Sequence, residues 1–290
     1  MGATQQLMLA ALRPWTPALL PTPPSLWFND SSAVTDAGAG ACSQWNDISG
    51  NGYHFVQTTG ARRPLIVSSG LNSRRTIRFD GSDDMLYNFD AGALALYVSQ
   101  AAMCEVIVYK KAATDAGVAR IATFIPSGGV GAAQSGFTIA CSGAGAGEAN
   151  KTRGVARRVR ADAAAALTQA TSLGTAWQMG MFRVVFADRD GFLDINGTLD
   201  QSNVTFTSAG ATSEAVSASS VYSMGGSPSA TGNNPGTASA ADIEIAERIL
   251  VRAALSQANI DRIFGYLAWR WGLVADLPAL HPYKNAPPYA

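Results

Sequence analysis

The run DIEIAE, residues 242–247, sets Asp242, Glu244 and Glu247 at nearly alternate positions. On a strand, alternate side chains share a face, so Asp242 and Glu244 point the same way. Two carboxyl groups about 5–5.5 Å apart on one face are what a retaining glycosidase uses, one as nucleophile and one as acid. The simpler reading is a solvated strand face, and no residue of the chain is read as catalytic.

A second acidic group lies in FDGSDD, where Asp80, Asp83 and Asp84 fall within five residues at a strand end. A hard cation such as Ca²⁺ takes several oxygens from such a loop. Turn carboxylates accepting from backbone N–H groups explain the same residues. The spacing is not that of an EF-hand. These three are the candidate calcium ligands, and no other cofactor is expected.

KTRGVARRVR gathers Lys151, Arg153, Arg157, Arg158 and Arg160. Such a run can grip phosphates or an acidic glycan. No aromatic platform interleaves with it, so nucleic acid is not an expected partner. It is read as a solvated loop or a contact to an acidic neighbouring subunit. His54 and His281 lie in turn-like segments without a nucleophile-elbow context and are read as structural. No phosphate-binding loop or dinucleotide fingerprint follows a strand. Sugar binding needs an exposed aromatic ring beside planar polar groups. Tyr87, Tyr97 and Tyr222, near predicted loops, are the candidates, because most other aromatics have strand or helix spacing.

Composition limits the choices further. The 290 residues carry 21 basic and 21 acidic side chains, so no global field draws in nucleic acid or an anionic membrane. No run reaches the roughly 18 apolar residues of a membrane span. Three cysteines, Cys42, Cys104 and Cys141, match no zinc spacing and are read as buried free thiols. The start of the chain lacks the basic residues of a signal peptide, and the expectation is a protein without classical export.

The elements that must position these residues are mostly strands. TIRFDG alternates, with Ile77 and Phe79 on one face and Arg78 and Asp80 on the other. AAMCEVIVYKK reads as a buried strand. WQMGMFRVVFADRDGFLDINGTLD reads as successive hairpins turning at Asp190–Gly191 and Asn196–Gly197. QWNDISGNGYHFVQ places a tight turn between two strand-like pieces. Gly/Ser/Ala-rich stretches near 126–149 and 207–241 read as long loops. The last element changes period: Ile260, Ile263, Phe264, Leu267, Ala268 and Trp271 recur at helical spacing, with Ser256 to start the helix and Gly272 to end it. An amphipathic helix at 257–271 must bury that stripe, and a β-sandwich is the available core. Residues 1–24 read as a proline-rich arm, 25–275 as the domain, and 276–290 as an extended tail.

The series SLWFND, QWNDISGNGYH, RRTIRFDGSDD, LDINGTL, AERILVRAALSQANIDRIFGYLAWRWGL and HPYKNAPP resembles the concanavalin A-like lectin/glucanase superfamily, LamG-like branch, over roughly residues 25–288. It is most similar to the versions found in tailed-phage virion proteins and in large surface proteins of environmental bacteria. The resemblance implies an all-β jelly-roll sandwich of two antiparallel sheets with the C-terminal helix packed on it. The glucanases of that superfamily carry Glu-x-Asp-x-(x)-Glu on a strand. Here the first position is Asp242 and the middle one Glu244, so a shorter side chain stands where the nucleophile belongs.

From the resemblance we expect a non-enzymatic structural or adhesion protein of a phage virion, assembled in the host cytoplasm. It would sit on tail, baseplate, fibre or capsid. Its expected partners are other virion proteins through the N-terminal arm, a host-surface glycan, and further copies of itself, as a trimer. The alternatives are a bacterial carbohydrate-binding module and, after it, a glycoside hydrolase.

Overall fold

The computed structural model describes residues 13–111, 119–125, 136–141, 151–159, 161–213, 220–227 and 240–290. Its strands, numbered along the chain, form two antiparallel sheets. The first contains β1 (Leu26–Phe28), β5 (Leu65–Leu71), β6 (Arg74–Asp80), β8 (Ala102–Lys111), β13 (Gln178–Val185), β14 (Asp190–Ile195), β15 (Thr198–Asn203) and β17 (Asp242–Val251). Its order is β15-β14-β13-β8-β17-β6-β5, and β1 pairs with the far end of β17 beyond β6. The second contains β2 (Val34–Asp36), β3 (Cys42–Trp45), β4 (Phe55–Val56), β7 (Leu86–Asn88), β9 (Ala119–Ile125), β10 (Gly136–Cys141), β11 (Thr152–Arg157), β12 (Ala165–Thr168) and β16 (Val221–Met224). Its order is β12-β11-β10-β9-β16-β7-β4-β3-β2. This is an all-β jelly-roll sandwich. Among the described residues the α-helices are α1 (Ala91–Leu94) and α2 (Gln257–Trp271).

Two apolar layers hold the fold together. Ile77, Phe79, Ile107, Phe182, Ile243 and Ile245 of the first sheet meet Trp45, Phe55, Phe124, Phe137 and Tyr222 of the second. The opposite face of the first sheet supplies Cys104, Val106, Val108, Met179, Met181 and Ile249 to a second layer under α2. Strand β8 is therefore buried on both faces, which is why Met103, Cys104, Val106, Ile107 and Val108 are apolar in both alternations. Ile260, Ile263, Phe264, Leu267, Ala268 and Trp271 all lie buried in the second layer, as their spacing predicts. Gly272 ends the helix in the left-handed conformation, and Ser256 occupies the N-cap position without a side-chain bond.

The chain ends are part of this second layer. Trp15 and Leu20 are buried in it. Trp15 N–H donates to the Pro288 carbonyl (3.0 Å) and Ala290 N–H to that of Arg13 (2.9 Å). Lys284 Nζ donates to the carbonyls of Val274, Ala275 and Leu277 at 2.8–2.9 Å, tying the tail down after the helix. Tyr283 crosses α2 at Gly265, where a Cβ would come within 2.6–2.7 Å of the tyrosine side chain. Residues 13–24 and 276–290 thus belong to the packed body, and the sequence-based boundaries at 24 and 275 fall inside it. Residues 1–12 of the arm lie outside the described residues.

Other expectations shift locally. The first hairpin turns at Phe186–Arg189, ahead of Asp190–Gly191, because Arg189 takes the positive φ (72°) and Asp190 already pairs with Val185. The turn at Asn196–Gly197 stands, both residues having positive φ. The basic run is a strand: Thr152, Gly154 and Ala156 are buried, and it pairs with β10 and β12. Arg158 pairs with Asp162 (3.1 Å), and Arg160 lies outside the described residues. Within the stretch read as a loop at 207–241, four residues form β16, too short to show a period. All three cysteines are buried and none forms a disulfide.

Candidate functional site

The DIEIAE carboxylates do not gather on one open face. A bulge between Ile245 and Glu247 shifts the register of β17. Asp242 pairs with Arg78. Glu244 accepts from Thr76 and pairs with Lys110 Nζ at 3.0 Å. Glu247 is 0% exposed and lies under α2. Its Oε1 accepts from Trp27 Nε1 (2.6 Å), Asn29 Nδ2 (3.3 Å) and the Tyr266 hydroxyl (3.0 Å). Its Oε2 accepts from Trp271 Nε1 (2.6 Å) and faces Arg270 Nε at 3.5 Å. Burial pushes this carboxyl up, and Arg270 and the indole donors oppose that rise. Each of the three carboxylates is committed to a structural bond.

The Asp80–Asp84 turn comes together as the sequence suggests, with one carboxylate oxygen of each of Asp80, Asp83 and Asp84 within 4.8 Å of the others. Ca²⁺ binds oxygens at about 2.3–2.6 Å, so that spread suits a shared ion. Three carboxylates supply only part of the six to eight oxygens it takes. Asp80 Oδ1 also accepts from the N–H groups of Ser82 (2.8 Å) and Asp83 (3.3 Å), and Asp84 Oδ2 from that of Asp80 (3.0 Å). Burial, and then the neighbouring Asp80, push the Asp84 carboxyl up to about 7.

The three candidate tyrosines do not offer ring faces to a sugar. Tyr97 stacks on Phe124 inside the sandwich and donates to the carbonyls of Arg157 and Gly136. Tyr222, on β16, packs between Phe55 and Phe124. Tyr87, on β7, is buried with Met85, Ile125 and Val221, and its hydroxyl meets Thr58 Oγ1. Short strands and a 3-10 turn carry them into the core, which loop proximity in sequence does not reveal. His54 Nδ1 accepts from Asp47 N–H and His281 Nδ1 from Tyr283 N–H, both structural. Burial lowers the His281 pKa.

The structure adds a cleft of about 220 Å³ where the paired termini meet the outer edge of α2. Trp269 stands at its rim, 39% exposed, with Nε1 donating to the Tyr283 carbonyl (2.8 Å). Trp15 and Tyr266 meet edge to face behind it. Arg74 and Arg270 line the wall and share Asp30, Arg74 Nη1 at 2.9 Å from Asp30 Oδ2 and Arg270 bonded to Oδ1. Arg74 Nε also donates to the Arg270 carbonyl (3.1 Å). The crowded aromatics at 266–271 are the plainest sequence signal for this place. Arg74 reaches it from 196 positions away.

No family model matches the chain, and no curated protein matches it in sequence. Solved structures do match. A Trypanosoma rangeli sialidase in complex with sialic acid is similar at TM-score 0.55 and 14% identity, over 92% of this chain and 39% of the sialidase. The binding domain of Paraclostridial Mosquitocidal Protein 1 is similar at TM-score 0.53 and 12% identity, over 83% of this chain and 52% of that one. The chain spans between about a third and a half of the structures it matches first. At these identities the likeness is one of fold, an all-β sandwich of two antiparallel sheets.

Proposed function

We propose that this protein is a non-enzymatic, lectin-like display protein of a tailed-phage virion that binds a host-surface glycan. The observation that carries the non-enzymatic part is the commitment of Asp242, Glu244 and Glu247: none is left to act as nucleophile or acid. A nucleophile must be reachable by substrate, and Glu247 is sealed beneath α2. The glycan part is supported by the sandwich shared with a sialidase in complex with sialic acid. The virion part rests on the sequence resemblance.

In this reading, residues 1–12 dock on other virion proteins, copies assemble as trimers, and the Asp80–Asp84 turn holds Ca²⁺ at a rim. Mass spectrometry of purified particles tests the location; particles lacking the protein reject it. A glycan array of the full chain tests ligand binding, and silence across it rejects the lectin role. Hydrolysis of any polysaccharide in a broad panel, lost in Glu244→Gln, would restore the glycosidase alternative. Added Ca²⁺ should raise the melting temperature of the wild type and leave Asp84→Asn unmoved; no rise removes the metal.

A further inference from the structure

We propose that the cleft between the paired termini and α2 binds a carboxylate-bearing sugar, its ring stacked on Trp269 and its carboxylate held by Arg74 and Arg270. The inference rests on the glycan-binding reading and adds both the place and the ligand class. Three features of the cleft carry it.

The first is the aromatic wall. The single polar atom of Trp269 is spent on the Tyr283 carbonyl, so its exposed part is a plain π surface. Such a surface suits the C–H face of a pyranose. The Tyr266 hydroxyl is likewise spent, on Glu247. The wall therefore offers contact area and almost no competing hydrogen bonds.

The second is charge. Two guanidinium groups, Arg74 and Arg270, face the cleft with one shared carboxylate, Asp30, between them. Among the described residues Arg74 Nη2 and Arg270 Nη1 have no hydrogen-bond partner. Their planar N–H groups match a carboxylate in a way that a lysine would not. Glu247, the other acid near Arg270, is fully buried and offers nothing to the cleft mouth.

The third is rigidity. Arg74 is fixed by Asp30 and by the Arg270 carbonyl before any ligand arrives. The opposite wall is Pro14, Pro287 and Pro288, held by the pairing of the two chain ends. A site already ordered loses little conformational entropy on binding. The small volume suits one sugar unit at the end or side of a chain rather than an extended groove.

The test is a titration of the full chain, by tryptophan fluorescence and by calorimetry. The probes are N-acetylneuraminic acid, glucuronic acid, oligomers of each, and neutral glucose and N-acetylglucosamine. At least one acidic series should bind about tenfold or more tighter than the neutral sugars, and binding should weaken as salt rises. The two acidic series separate a sialylated from a uronic-acid source. Arg74→Ala and Trp269→Ala should each weaken acidic-sugar binding by about tenfold, and Trp269→Phe, which keeps a ring, should stay within roughly threefold of wild type. Circular dichroism checks the fold of each variant. Should Trp269→Ala loosen the tail, the Arg74→Ala and Trp269→Phe pair still decides. Acidic and neutral sugars binding alike, or acidic sugars binding Arg74→Ala as well as wild type, overturn this cleft while a positive array leaves the lectin reading standing. Silence on the whole array removes both.

Discussion

Glu247 and Arg248 are neighbours in the chain, yet they serve opposite faces of β17. Glu247 points to the helix layer, where two indoles, a phenol and an asparagine amide satisfy it. Arg248 points between the sheets, where its Nε meets Glu105. Both sites are 0% exposed and both contain a glutamate. They differ in what is left over. In the helix layer both oxygens of Glu247 are used. Between the sheets Glu105 Oε2 and Arg248 Nη1 and Nη2 make no hydrogen bond to the described residues, and the guanidinium instead lies over the rings of Tyr222 (4.4 Å) and Phe55 (5.2 Å). One site is a saturated acceptor joining β1, β17 and α2. The other is an ion pair packed among aromatics. A buried ion pair can be replaced by apolar side chains with little loss, whereas removing one partner strands the other. A many-donor acceptor has no apolar substitute, because every donor is stranded at once.

The largest effect should come from Glu247→Ala, which leaves Trp27, Asn29, Tyr266 and Trp271 without their acceptor. We expect a loss of about 3–5 kcal/mol in urea unfolding, with a changed tryptophan near-ultraviolet spectrum. Glu105→Ala should cost somewhat less, about 3 kcal/mol, because the aromatic faces still stabilise Arg248. The sharper result is the double variant Glu105→Leu with Arg248→Met, which should lie within about 1–2 kcal/mol of wild type. If it unfolds as readily as Glu247→Ala, the distinction between the two sites is wrong.

Gly265→Ala comes next. Overpacking against Tyr283 costs about 1–3 kcal/mol, partly offset by the better helix propensity of alanine. The visible outcome should be faster proteolysis of the tail after residue 276.

A further effect concerns pH. The Asp84 carboxyl is raised from 3.8 to about 7 in the folded protein, so the native state holds its proton more tightly than the unfolded chain does. Its contribution to stability is therefore fully present below about pH 4 and declines as pH rises to about 7. Asp84→Asn should flatten that decline in melting temperature between pH 5 and 8. An unchanged slope would place the titration elsewhere.

Much of this fold was legible in the residues. The alternation in TIRFDG and the 3.6-residue stripe in α2 both depend on local geometry, and both hold. The Asp190–Gly191 turn was off by a few residues because Arg189 also accepts a positive φ. The tyrosine candidates failed for a different reason. Tyr97 and Tyr222 look loop-borne along the chain, and only the meeting of two sheets puts them inside. Arg74 stood inside the RRTIRFDGSDD stretch of the resemblance but carried no chemical signal, since its partners Asp30 and Arg270 are 44 and 196 residues away.

The motif stretches that marked the resemblance meet in space: Trp27 and Asp30, Arg74, Glu247, and Tyr266 with Arg270 and Trp271 build one junction under and beside α2. Sequence alone determined the strand and helix periods and the balanced charge, because each is set by neighbours along the chain or by simple counting. Tertiary structure decided which carboxylates are sealed, which rings reach solvent and where two arginines share one aspartate. Those outcomes depend on burial and on contacts between distant segments, and burial is what turns an ordinary glutamate into a structural anchor.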